Sequence, residues 1–225
     1  MKRILVILIA ILFANPIETK ATHLLGGEIT WECIKSGTDQ GKFIFTIKLY
    51  CACYTGAAPC PSSATIQNPL YSQYGGPSSI TTARILNRDV APPCYADSLE
   101  LQCGLASSQG GNQVMDENIY VSAAIQLNGT PASTGSNFYW SSCCRPGATV
   151  NIIGNTGYYL KATMYPYNDP ATNTVQSIGS TTGGPSCYDS SPVFASSPAT
   201  VICSGYPFTY NHNAEDEELD SLHYA

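Results

Sequence analysis

The chain has 225 residues, of which 44% are hydrophobic and only 12% are charged, and its formal net charge is −6. An acidic chain without a basic stripe is not a nucleic-acid binder held by phosphate contacts. Its ordinary apolar content excludes intrinsic disorder, and its wealth of Thr, Ser, Tyr and Gly disfavours a long helical bundle.

The first 21 residues have the features of a secretory signal peptide. The basic pair Lys2-Arg3 precedes an uninterrupted apolar run at 4–14, and a small-x-small cleavage pattern ends at Ala21. Eleven apolar residues are too few to span a bilayer but suit a signal peptide. We predict cleavage after Ala21, which leaves a secreted or cell-surface protein that starts at Thr22 with 7 basic and 15 acidic residues and no membrane span.

Alternation of apolar and polar residues predicts a series of short β-strands and no convincing helix. The first two strands, 27–34 and 42–50, are separated by turn-forming residues at 35–41 and are therefore predicted to form a hairpin. In the second strand, four apolar residues share one face: Phe43, Phe45, Ile47 and Leu49. Further strands are predicted at 79–86, 118–127, 138–144, 149–153, 158–165 and 200–203.

Many short strands separated by Gly, Ser, Pro and Asn clusters are typical of an antiparallel sandwich or barrel. We predict an all-β fold, a disulfide-stapled antiparallel β-sandwich of Ig-like or jelly-roll-like type. The segment 169–186 is interpreted as a long surface loop rather than a linker. The predicted organisation is a signal peptide (1–21), an N-terminal β-sandwich domain (22–188), and a last segment (189–225) that either starts a second Ig-like or cadherin-like module or supplies C-terminal strands.

The ten cysteines all follow the predicted cleavage site, and an exported chain matures in an oxidising compartment, so we predict disulfides. Zinc is the weaker interpretation, because the spacings contain no pair of C-x2-C knuckles and the chain has only three His. The pairing stays open. The disulfide candidates are Cys33, Cys51, Cys53, Cys60, Cys94, Cys103, Cys143, Cys144, Cys187 and Cys203.

Several motifs in one order give the chain a resemblance to a known family. They are ATHLLGGEITWEC at 21–33, FIFTIKLYCAC at 43–53, CCRP at 143–146, Asp-Ser-Ser-Pro-Val-Phe at 189–194 and VICSGYPF at 201–208. This pattern resembles the N-terminal domain of gliding-motility-associated, type IX-secreted cell-surface proteins of Bacteroidetes, many of which are large adhesins. The resemblance implies an adhesin or a component of an extracellular fibre that is handled by a secretion machinery.

The resemblance also implies a calcium-binding, cadherin-like acidic loop after the last motif. Asp216, Glu218 and Asp220 keep carboxylates at alternating positions, but Leu219 replaces the glycine that permits a tight turn. A solvated acidic tail is the alternative to calcium, and apart from calcium we expect no cofactor. Since the family continues beyond the position of Ala225, we expect either the N-terminal piece of a longer protein or a short relative.

Catalytic signatures are missing from the sequence, which contains no G-x-S-x-G, no H-E-x-x-H and no phosphate-cradling Gly-rich loop. Carboxylates that a glycosidase needs are present, but nothing singles out a pair. We therefore expect a non-enzymatic protein, with a secreted hydrolase as the less favoured alternative.

Aromatic residues carry the binding prediction. Tyr139, Trp140, Tyr158 and Tyr159 supply rings that suit sugars or another protein, although the same residues are also typical of sheet faces and cores. Ser98 and Ser221, each in an Asp-Ser-Leu triplet, are O-glycosylation candidates by the same resemblance.

Together these features predict an exported structural or adhesion module whose partners are surface proteins, copies of itself or glycans. A carbohydrate-binding module of a polysaccharide-utilisation protein is the alternative function.

Overall fold

The computed structural model describes residues 24–68, 77–90, 103–104, 114–142, 157–166, 168–169, 173–175, 189–196, 207, 209, 211 and 213–222. Strands, turns and irregular segments make up all of this part of the chain, and it contains no helix. The all-β prediction is therefore confirmed. No helix in this part is long and apolar enough to cross a membrane.

Seven strands build the main sheet: β1 (Leu24–Cys33), β2 (Phe43–Ala52), β3 (Ser63–Gln67), β4 (Ser79–Asp89), β5 (Met115–Ser122), β6 (Ser136–Ser142) and β7 (Tyr158–Met164). Four short strands form two small ladders: β8 (Asn168–Asp169) with β9 (Thr174–Val175), and β10 (Val193–Phe194) with β11 (Ala214–Glu215). The β8–β9 ladder lies partly within the segment that was predicted to be a long loop.

The main sheet is antiparallel, with the strand order β1-β2-β5-β4-β3-β6-β7. Its two end strands, β1 and β7, lie close to each other, so the sheet curls nearly into a barrel. Gly27 permits this approach, because a Cβ there would lie 2.5 Å from the carbonyl oxygen of Lys48 and 2.9 Å from Leu160 Cδ1. Any side chain at position 27 would push β1 away from both neighbours.

The predicted hairpin is confirmed, since β1 and β2 pair from Cys33 opposite Phe43 to Leu24 opposite Cys51. The turn between them contains Gly37 and Gly41, both at positive φ. The four residues of β2 that were predicted to share a face are each at most 1% exposed: Phe43, Phe45, Ile47 and Leu49.

The hydrophobic core is one cluster that receives residues from all seven main strands. Three tilted aromatic rings lie at its centre. The Phe45 and Phe138 centroids are 4.7 Å apart, and Trp31 lies 6.4 Å from Phe45 and 6.0 Å from Phe138. Such offset contacts add stabilisation beyond simple burial of area. The core therefore connects β1 and β2, at one end of the sheet, with β6, the strand beside its other end.

Two disulfides fasten the end of β2 to neighbouring loops. Cys51 is bonded to Cys60 and Cys53 to Cys103, with Cα–Cα distances of 5.8 and 4.9 Å. Cys33 is disulfide-bonded as well. The disulfide prediction is thus confirmed for these residues, and the remaining candidates lie outside the described residues: Cys94, Cys143, Cys144, Cys187 and Cys203.

The strand boundaries differ from the prediction where tertiary pairing extends or ends a strand. β4 continues to Asp89 after a bulge at Ile85. β5 starts at Met115, because β2 and β4 hold its polar first residues in ladders on both sides. It ends at Ser122, and the predicted continuation is reduced to an isolated bridge between Ile125 and Phe43.

The remaining strand predictions are of three kinds. β3 was not predicted, since its five residues follow a Pro-Ser segment typical of a loop. The strands predicted at 138–144 and 158–165 correspond to β6 and β7. Those predicted at 149–153 and 200–203 lie outside the described residues.

A pair of serines covers part of the outer edge of β1. Ser191 donates its backbone N–H to the Trp31 carbonyl oxygen at 2.9 Å, and its Oγ accepts the Trp31 N–H at 2.8 Å. Ser190 Oγ accepts the N–H of Cys33 at 3.2 Å. Both serines are buried. This serine strap satisfies backbone groups that a neighbouring strand would otherwise satisfy.

Two polar groups of β5 are buried with partners. The Glu117 side chain is 2% exposed, and its carboxylate accepts hydrogen bonds from Arg88 Nε at 2.5 Å and from the Tyr50 hydroxyl at 3.2 Å. Burial, together with the Glu117 charge, raises the pKa of Tyr50 well above its usual value. Asn118 is fully buried and accepts hydrogen bonds from Arg84 and Asn87.

Candidate functional site

Two of the predicted aromatic residues form a stacked pair on the outer face of β6 and β7. The ring centroids of Tyr139 and Tyr159 are 5.5 Å apart, with an angle of 28° between the ring planes. Tyr159 is 60% exposed and Tyr139 is half-buried. Side chains alternate across a strand, so both point away from the core while their neighbours point into it.

Polar side chains surround this pair. Gln67 of β3, Tyr139 of β6 and Lys161 of β7 are directly opposite one another and form one row across three strands. Ser141 and Tyr159 form the next row. With strands about 4.8 Å apart and about 7 Å between alternate residues of a strand, the two rows cover about 10 Å by 7 Å. We call these five residues the tyrosine face, and its size suits a disaccharide.

The other two predicted binding residues, Trp140 and Tyr158, lie on the opposite side of the sheet, because side chains alternate along each strand. Trp140 is 7% exposed and belongs to the core, and Tyr158 packs against the core while partly exposed. Trp140 and Tyr158 point inward like their alternate neighbours: Phe138 belongs to the core, and Leu160 packs against it. Of the four predicted residues, Tyr139 and Tyr159 therefore lie together on the outer face, and binding by any of them stays a prediction.

The acidic residues at 216–220 form a turn that holds the serine strap. Glu218 accepts hydrogen bonds from the backbone N–H of Ser190 at 3.3 Å and from its hydroxyl at 3.2 Å. Lys35 Nζ lies 2.7 Å from Glu218 and 3.2 Å from Glu217. Partial burial raises the pKa of Glu218, but the hydrogen bonds from Lys35 and Ser190 outweigh it and lower that pKa overall.

Asp189 lies beside this turn in an environment of like charge. Its pKa is raised to about 6, first by burial and then by the charges of Asp220, Glu218 and Asp216. A buried carboxyl close to other carboxylates binds a proton or a cation more readily than a solvated one.

The predicted calcium ligands have the right chemistry but do not converge. Calcium takes six to eight oxygen ligands, and carboxylates are among its usual donors. Asp216 Oδ1 instead accepts the backbone N–H of Asp220 at 2.9 Å, and Glu218 is paired with Lys35. The φ of Leu219 is 63°, so it adopts the left-handed conformation that glycine adopts most readily. Calcium binding stays a prediction.

The described residues include one group of three potential metal ligands whose ligand atoms lie within 4.8 Å of one another: Cys51, Cys60 and Asp116. Because the two cysteines are bonded to each other, their thiolates are not available to a metal. The Asp116 carboxylate accepts hydrogen bonds from Asn87 at 2.6 Å and Asn118 at 2.9 Å. This group is a disulfide beside a hydrogen-bonded carboxylate.

The other predicted sites are placed as follows. Ser221 is exposed, in the last described segment, whereas Ser98 lies outside the described residues, as does the predicted signal peptide. Lys161, Ser190 and Asp189 were not found by sequence reasoning. The lone lysine of β7 was the available signal for the first, and the Asp-Ser-Ser-Pro motif at 189–192 was the signal for the other two.

Comparison of the chain with protein-family models, with curated proteins and with solved structures gave no match.

Proposed function

We propose that the protein is an exported surface adhesion module that binds glycans through the tyrosine face. The observation that carries this proposal is the stacked, outward-facing pair Tyr139 and Tyr159. The C–H face of a sugar ring stacks on an aromatic ring, and sugar hydroxyls pair with nearby polar side chains. Gln67 and Ser141, both exposed, supply such groups in the same two rows.

A fibre subunit that assembles by strand addition is the competing function, and it requires an open strand edge. At Trp31 and Cys33 the outer edge of β1 is occupied by the serine strap. This occupation favours adhesion through a sheet face over assembly through that edge.

We further propose that a signal peptide cleaved after Ala21 directs export and that the mature protein acts at the cell surface by binding, without catalysis. The disulfides of β2 support an oxidising compartment. The resemblance to type IX-secreted adhesins supports an association with gliding motility or a surface fibre.

Affinity electrophoresis in gels that contain galactomannan, xyloglucan, hydroxyethyl cellulose or polygalacturonate tests the binding proposal. We expect retardation of the wild-type protein by at least one of these polymers. Tyr139→Ala and Tyr159→Ala should each weaken that binding about tenfold, the loss expected for an anchoring aromatic side chain.

Tyr165→Ala is the matched control. Tyr165 is 62% exposed, close to the 60% of Tyr159, but it lies six residues further along, about 20 Å away in an extended chain. Its substitution should leave binding of a disaccharide fragment of the retained polymer unaffected. Equal affinities for wild type, Tyr139→Ala and Tyr159→Ala, or no retention by any polymer, would contradict the proposal.

A further inference from the structure

The tyrosine face has a charge feature that the proposed function does not use. Lys161 is the one charged residue in the sequences of β3, β6 and β7, which otherwise contain neutral polar, small and apolar residues. The first half of β4, residues 79–83, adds no charge either. Within the part of the chain that the structure describes, Lys161 forms no ion pair, and its side chain is exposed.

Other lysines of the sheet and its hairpin differ in this respect. Lys48 lies 2.7 Å from Glu28, and Lys42 lies 2.6 Å from Asp39. Lys35 is bound to the acidic turn. Among the described residues, the Lys161 ammonium therefore has no carboxylate to displace before it binds one from outside, whereas a ligand would have to compete with an internal partner at the other three.

The position of Lys161 fits a sugar that rests on the tyrosine rings. Lys161 is directly opposite Tyr139 and two residues from Tyr159 on β7, about 7 Å along the strand. A flexible four-carbon side chain brings the ammonium within reach of a substituent on the rim of a stacked sugar ring. The lone positive charge thus lies beside the stacking surface rather than beneath it.

We propose that the glycan bound at the tyrosine face carries carboxylates, so that uronate-containing polysaccharides are preferred; this inference rests on the proposed glycan-binding function. The preference arises from charge complementarity. The whole chain is acidic, with a net charge of −6, yet no acid occurs in the three strands that carry the face. On these three strands a polyanion therefore meets one cation and no repelling carboxylate.

The test uses polygalacturonate and its methyl-esterified form, which have the same backbone with and without charge, and dextran sulfate as an unrelated polyanion. We expect the wild-type protein to bind polygalacturonate about fivefold more tightly than the ester, the scale of one exposed ion pair. Lys161→Gln should bring the ratio of these two affinities close to one. Raising NaCl from about 50 to about 500 mM should reduce the ratio in the wild type, because the contact is exposed.

Lys42→Gln is the matched control, since it removes one positive charge from the hairpin between β1 and β2. It should keep the wild-type ratio. If Lys161→Gln also keeps that ratio, or if dextran sulfate binds as tightly as polygalacturonate, the carboxylate preference is overturned while glycan binding stands. If the protein binds neither polygalacturonate nor its methyl ester, and Tyr159→Ala does not alter the affinity for any other polymer, the inference fails together with the proposed function.

Discussion

Two ion pairs of nearly equal length provide a test of how burial sets the energetic role of charge in this fold. Arg88 Nε lies 2.5 Å from Glu117, whose side chain is 2% exposed, and Lys42 Nζ lies 2.6 Å from Asp39, whose side chain is 47% exposed. Replacing each cation by glutamine removes the same charge at the same distance. The expected costs nevertheless differ, because only the Glu117 carboxylate is buried and would lose its cation partner there.

Breaking a buried pair typically costs about 3–5 kcal/mol. The value for Arg88→Gln should be lower, about 2–3 kcal/mol, because the Arg88 side chain is 55% exposed and water can enter the vacated position. Tyr50 also continues to donate to the second carboxylate oxygen, at 3.2 Å. For Lys42→Gln we expect less than about 1 kcal/mol, the usual range for an exposed pair.

Urea unfolding of the mature protein with intact disulfides measures both costs. Glu117→Gln and the Arg88→Gln/Glu117→Gln double variant complete a thermodynamic cycle. The double variant should be more stable than the sum of single effects predicts, by at least about 1 kcal/mol, because it leaves no unpaired charge. Equal costs for Arg88→Gln and Lys42→Gln, or additive effects in the cycle, would refute the reasoning from burial.

Three further outcomes are expected. The pKa of Asp189 is raised from an ordinary 3.8 to about 6, so the folded state binds this proton more tightly than the unfolded state does. Thermal stability should therefore increase as pH falls from about 6 to about 3.8, and Asp189→Asn should abolish this increase. A variant with the wild-type pH profile of stability would contradict this role of Asp189. Non-reducing peptide mapping should recover Cys53 linked to Cys103, and replacing both by serine should cost about 4 kcal/mol, the entropy of a 50-residue loop; a different pairing would contradict the described fold. Millimolar CaCl2 should raise the Tm of the wild type but not of Asp216→Asn, and the absence of any shift would remove the calcium prediction.

Strand alternation predicted the parts of the fold in which burial follows residue polarity. The apolar phase of β2 places Phe45 and Ile47 in the core as predicted. Alternation failed at β5, where Glu117 and Asn118 are buried despite being polar. Their burial depends on partners in β2 and β4 that are distant in sequence, and local pattern contains no information about such pairing.

The candidate site was predicted in part for the same reason. Consecutive aromatic residues in a strand point to opposite faces, so only one of Tyr139 and Trp140 can be on the outside. The neighbouring Phe138 sets the phase, and this much was readable from the sequence. The stacking of Tyr139 on Tyr159 was not, since it requires the register of β6 against β7.

The central claim is that the tyrosine face binds a glycan, and the ring signals of its tyrosines report on this most directly. In a protein labelled with 13C-tyrosine and titrated with a trisaccharide of the polymer that retains the protein, we predict that the Tyr139 and Tyr159 ring resonances shift together along one saturating curve. The buried Tyr120 and the distant, exposed Tyr165 should stay in place. Shifts confined to Tyr165 or to other tyrosines, or no shift at millimolar ligand, would contradict the account.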